Sequence, residues 1–189
     1  MYHFKKPRLI LSITVLLFSL PRSGILGQSK YTVVGSNEAV VFEIRIGTFT
    51  ANHVGKEFGP DVVDKNADIQ FKFTDNSDRS YFDLGNQLPD HFIDRRGNWH
   101  QIKSSDLNAH EWSIDGFRFF PGESGSPIFG KDGKVCGVVL GNYLNQKSKR
   151  WFGRVGKIQG SRRVIDQIQR LRDEQNKNRF TQTVEAVFE

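Results

Sequence analysis

The sequence predicts an all-β domain followed by one α-helix, on three observations. Short runs alternate apolar and polar residues with period two, an Asp-Gly pair separates two apolar strands, and the periodicity changes to helical after Gly160. Composition agrees. Among 189 residues, 16 phenylalanines and 18 glycines suit an aromatic core with many tight turns. A hydrophobic share of 37% with 25% charged residues excludes a multi-span membrane protein, and 12% aromatics is too rich for a disordered chain. The single cysteine, Cys136, excludes an intramolecular disulfide framework and a cysteine-rich zinc site. It sits in an apolar strand and reads as packing. No metal or organic cofactor is implied.

Residues 1–27 read as a targeting segment. Lys5, Lys6 and Arg8 precede the apolar run Leu9 to Leu20, and the small residues Ser23, Gly24 and Gly27 follow. That order is the order of a secretory signal peptide, and the run is shorter than the roughly 20 residues of a membrane-spanning helix. The expectation is entry into the secretory route with the mature chain starting near Gln28, or else a short N-terminal membrane anchor.

The β-patterned domain spans residues 31–160. Val40 to Phe49 forms its first run, alternating from Phe42 on, and Asp68 to Phe73 and Phe117 to Phe119 repeat the alternation. Glycine, proline and Asn/Asp clusters punctuate these runs, as in a sandwich or barrel. Ile128 to Leu140 is the sharpest local signal, with Asp132-Gly133 as the turn of a hairpin. Residues 161–189 form a basic C-terminal helix and tail. Val164, Ile165, Ile168 and Leu171 make an apolar stripe, Ser161 is placed to cap it, and the helix is expected to reach about Lys177. Much of the net charge of +6 sits from Lys147 onward.

The chemistry centres on Pro121-Gly122-Glu123-Ser124-Gly125-Ser126-Pro127. A serine hydroxyl is a poor nucleophile unless a base takes its proton and donors stabilise the oxyanion that forms. Glycines around Ser124 let the backbone turn so that the Gly122 and Ser124 N–H groups serve as those donors. The base is expected upstream. His53, in Phe49-Thr50-Ala51-Asn52-His53-Val54, lies just past a β-patterned strand, in a frame that resembles that of the general base in chymotrypsin-like proteases. His91, His100 and His110 lack such a frame.

The ordered set Asn52-His53-Val54, Asn66 to Ile69, Phe82-Asp83-Leu84, Pro121 to Phe129 and Val138 to Gly141 resembles the togavirus capsid proteases over residues 40–156. Flavivirus-type proteases share the serine block. The resemblance implies a chymotrypsin-like serine endopeptidase of two compact antiparallel β-barrels. Ser124 is its nucleophile, His53 its general base and Asp83, in the family's Tyr-Asp-Leu position, its carboxylate. Asp68 is the competing carboxylate. It follows His53 by 15 residues, barely one hairpin, whereas Asp83 follows by 30 and has room to cross a barrel and return. The strand Leu140-Gly141-Asn142 is expected to pair with the substrate and wall its specificity slot. A glycine wall without an aspartate points to cleavage after Trp, Phe or Tyr, with Trp151 and Phe188 as internal sites. The resemblance implies a polypeptide substrate; the chain's own segments are one candidate, but the family's self-cleavage does not simply carry over, because a basic helix follows Trp151.

The chain departs from that family at both ends. A signal-like run stands where the family has a basic RNA-binding arm, and a basic helix follows the last strand. Two other readings therefore stand beside the peptidase. One is a capsid-like nucleic-acid-binding protein using the basic C-terminal region, with Trp151 and Phe152 stacking on bases. The other is an inactive relative that binds peptides in the cleft.

Overall fold

The computed structural model describes residues 32–33, 39–54, 58–76, 81–94 and 96–188, with helix side chains described to residue 178. Residues 1–27, expected to be a targeting segment, lie outside the described residues. The chain is mostly β. Strands β1 (Thr32–Val33), β2 (Val40–Ile44), β3 (Gly47–Ala51), β4 (Val62–Asp64) and β5 (Ile69–Phe73) form an antiparallel sheet in the order β1-β2-β3-β5-β4. The second antiparallel sheet holds β6 (His91–Ile93), β7 (Trp99–Gln101), β8 (Ser104–Asp106), β9 (Glu111–Asp115), β10 (Pro127–Phe129), β11 (Val135–Asn145) and β12 (Arg150–Lys157). Its order is β7-β6-β10-β11-β12-β9-β8. One helix, α1 (Arg162–Phe188), ends the chain, and among the described residues no helix is long and apolar enough to cross a membrane.

The run Val40 to Phe49, continuous in the sequence pattern, is two strands. Arg45 and Ile46 turn the chain between β2 and β3. The reason lies 30 residues downstream, where Asn76 is wholly buried and staples this turn. Its Nδ2 donates to the carbonyls of Ile44 at 2.9 Å and Gly47 at 3.2 Å, and its N–H donates to Arg45 at 2.9 Å. Phe117 to Phe119 alternates like a strand but forms none. The Asn142 side chain occupies its backbone instead, accepting from Phe119 N and donating to Phe119 O, both at 2.8 Å. An amide that mimics a peptide group thus replaces a ladder partner. The Asp132-Gly133 hairpin forms as the sequence predicts, between β10 and β11, with Gly133 at φ 73°.

Two apolar clusters hold these sheets. Phe42, Phe49, Ile69 and Phe71 from the first sheet pack with Phe129, Val138 and Leu140 from the second and with Val164 and Ile168 of α1. This cluster spans the seam between the sheets. Phe42 stacks on Phe49 at 5.3 Å, and Phe49 meets Phe71 at 5.1 Å. The other cluster lies within the second sheet and contains Phe92, Trp112, Ile114, Phe119, Cys136 and Val155. Cys136 is buried there, and burial pushes its thiol up to about 12. The helix runs past the expected end near Lys177, because its apolar stripe marks where it packs and not where it stops. Ser161 sits at its N-cap position, its carbonyl accepting from Ile165 N at 3.0 Å.

His91 gives the fold a pH dependence. Its ring lies against Phe129 at 5.2 Å and Trp99 at 4.4 Å, and its Nε2 has no partner among the described residues. Burial lowers its pKa below 6.5, against the opposing pull of Asp90. The folded state therefore disfavours the proton. This contribution is complete above 6.5 and is lost as pH falls through the lower folded value. Urea midpoints are expected to fall as pH drops below 6.5, and His91→Gln to flatten that part of the profile. An unchanged slope in the variant would contradict this.

Candidate active site

Three expected residues meet at the seam between the sheets. His53 follows β3 in a short 3₁₀ turn, Asn52–Val54. Its Nε2 lies 3.0 Å from Ser124 Oγ, and its Nδ1 lies 2.7 Å from Asp68 Oδ2. A carboxylate accepts only, so Nδ1 carries the proton and Nε2 is left to accept from the serine hydroxyl. The ring is 43% exposed, open to a substrate from one side. Asp68 also accepts from the His53 backbone N–H, Oδ1 at 3.0 Å, so a single carboxylate fixes both the ring and the peptide that bears it.

The carboxylate at His53 is Asp68 and not Asp83, the residue that spacing and the family pattern favoured. Fifteen residues suffice because β5 returns directly beside β3, pairing Ile69 with Ala51. That register sets Asp68 opposite Asn52, whose N–H donates to the Asp68 carbonyl at 2.7 Å. Asp83 lies on the connection between the sheets, where Phe82 bridges to Ile44 and Leu84 to Val135. It lines a separate cleft of about 270 Å³ with Arg45, Tyr81, Arg172 and Gln175.

Asp68 has φ 53°, in the left-handed region that aspartate tolerates better than most residues. The sequence reading missed the group that holds this turn. Asp64 Oδ1 accepts from Asn66 N at 2.9 Å and Ala67 N at 3.1 Å, and Oδ2 accepts from the buried Ser161 hydroxyl at 2.6 Å. Burial raises the Asp64 pKa, but these donors outweigh it and the net direction is down. Ser161 thereby joins the start of α1 to the turn that presents Asp68. The signal was present as Asp64-x-Asn66, an Asx-type turn pattern. Gln70, also buried, donates to the Asn52 carbonyl at 2.6 Å and steadies the peptide before His53.

The serine turn is fixed from both sheets. Val40 N donates to the Ser124 carbonyl, Gly125 N to Val139 O and Val139 N to Ser126 O, at 2.8, 2.8 and 2.9 Å. Glu123, almost fully buried, accepts from Phe120 N at 2.7 Å and donates its own N–H to Phe120 O at 3.1 Å. Gly122 has φ 89°. Among the described residues no protein acceptor takes the N–H of Gly122 or of Ser124, which leaves both donors available to an oxyanion.

The expected substrate strand is divided. Leu140 is buried in the seam core, and the Asn142 amide is consumed by Phe119, so neither side chain faces a ligand freely. Gly141 stands at a register shift with φ 129°, and the space beside it is open. Among the described residues, no three His, Cys, Asp or Glu side chains gather to hold a metal ion. His100 pairs with Asp94 and His110 with the Gly160 carbonyl, away from Ser124. No protein-family model and no curated protein matches this sequence.

Two glycines test the geometry. A Cβ at Gly125 would collide with the Val40 carbonyl and lie 2.5 Å from Thr50 Oγ1, at φ 91°, whereas one at Gly141 meets nothing within 4 Å. Both alanine variants carry backbone strain of about 1–2 kcal/mol, and Gly125→Ala alone adds the clash. Gly125→Ala is therefore expected to lower Tm clearly more than Gly141→Ala in thermal unfolding. Equal losses would contradict the placement of the serine turn against β2.

Proposed function

We propose that this chain is a serine endopeptidase of chymotrypsin-like type, its two sheets corresponding to the two compact barrels of that fold. The observation that carries the reading is the unbroken line Asp68–His53–Ser124, with hydrogen-bonding distances of 2.7 and 3.0 Å. The similarity of the Pro121 to Phe129 block to togavirus capsid proteases supports it.

In this reading Ser124 Oγ attacks the carbonyl carbon of the scissile peptide while His53 Nε2 takes the hydroxyl proton. The Gly122 and Ser124 N–H groups receive the negative charge that forms on the carbonyl oxygen. The tetrahedral intermediate collapses, the C–N bond breaks, and the imidazolium gives its proton to the departing amine. Water then repeats the sequence on the acyl-serine, releasing the acid and restoring Ser124. Asp68 holds Nδ1–H throughout, so that the imidazolium forms against a carboxylate.

Specificity follows from the wall. Leu140-Gly141-Asn142 carries no charge, and the space beside Gly141 is open, which suits a large apolar or aromatic side chain before the cut. Phe120, 67% exposed beside the serine turn, adds apolar surface there.

A serine-directed fluorophosphonate probe on the purified chain tests the reading. Wild type is expected to label at Ser124, and Ser124→Ala to lose all labelling. A folded wild type that does not label would favour a binding protein, whether for peptide or for nucleic acid.

A further inference from the structure

Arg154 on β12 and Glu111 on β9 form a two-pronged ion pair. Glu111 is buried, with Oε2 accepting from Arg154 Nε at 2.8 Å and Oε1 from Nη2 at 2.6 Å. Strand geometry directs this pair toward the first sheet. Gly153 lies under the Phe119 ring and Val155 belongs to the second-sheet core, so both face that core. Side chains alternate along a strand, and Arg154 and Gly156 therefore face the opposite way. On that side the Ala67 carbonyl rests on Gly156, only 2.5 Å from where a Cβ would stand. Asp68 is the next residue. Arg154 is thus about 7 Å of strand rise from the point where the Asp68 turn touches the second sheet. Glu111 pairs directly across from Gly156.

The Asp68 carboxylate accepts hydrogen bonds from His53 N and Nδ1, and its environment otherwise acts on it through charge. Among the described residues, the charged groups set toward it include His53 from the end of β3, Arg154 from β12 with its Glu111 from β9, and Asp64 within its own turn. We propose that Arg154, anchored on Glu111, is a positioning residue for the Asp68–His53 pair: its cation faces the Asp68 turn from the second sheet and, partly neutralised by Glu111, sets the charge balance under which the pair works. The elevated pKa of Arg154 agrees, with its hydrogen bond to Glu111 the main cause and the Asp68 charge a further one. The inference rests on the peptidase reading of the same site, and its test is read on His53 itself, whether or not the chain cleaves peptide.

The sign follows from Coulomb's law. A cation facing the Asp68 turn opposes imidazolium at its partner His53, so Arg154→Met is expected to raise the His53 pKa. Removing the neutralising anion leaves the cation exposed to the site, so Glu111→Gln lowers it. NMR titration of the His53 ring in the full chain is the measurement, with folding checked by circular dichroism. The expected result is a shift of about half a pH unit or more in opposite directions for Arg154→Met and Glu111→Gln, and none for Arg154→Lys. Where peptidase activity is present, the acid limb of kcat/KM moves with the ring. A folded Arg154→Met with wild-type titration overturns the proposal, as do shifts of the same sign in both variants. If Arg154→Met does not fold, Glu111→Gln decides alone: a lower His53 pKa supports the proposal, and an unchanged or higher one overturns it.

Discussion

One carboxylate organises the site. Asp68 accepts from both the backbone and the ring of His53, and everything else at the seam is arranged to present it. It does so from a left-handed turn, and that turn is held by Asp64 through two backbone donors and the Ser161 hydroxyl. The C-terminal helix is therefore part of the support of the site. Losing the Ser161 hydroxyl would leave a buried Asp64 oxygen without a donor, an expensive state in a low-dielectric interior.

The serine is held from the other side of the seam. Val40 begins β2 and fixes the Ser124 carbonyl, while Thr50 donates to the Val40 carbonyl at 2.8 Å. Ser124 and His53 are thus held by different sheets joined by one shared aromatic core. Their 3.0 Å separation depends on Phe42, Phe49 and Phe129 packing without slack, since dense cores transmit small shifts.

Much of this was legible in the sequence. A period-two run located β5, the Asp132-Gly133 pair located the β10–β11 hairpin, the glycine-bracketed serine located the Ser124 turn, and the strand before Asn52-His53 located the histidine. What escaped were side chains acting as backbone. Asn76 splits an apparently continuous strand, and Asn142 turns an apparent strand into a clamped loop. Nothing local betrays such long-range amide contacts. The carboxylate was misplaced for a related reason: sequence spacing counts residues, whereas the pairing of β3 with β5 decides which of them stand side by side. Asp83, which spacing favoured, lies instead at a separate cleft near α1.

The most direct test compares two isosteric variants, Asp68→Asn and Asp83→Asn, by their rates of acylation with the same peptide ester. Losing the carboxylate that fixes the His53 tautomer is expected to slow Asp68→Asn by roughly 10⁴-fold, while Asp83→Asn stays near wild type. A crippled Asp83→Asn beside an active Asp68→Asn would contradict the account.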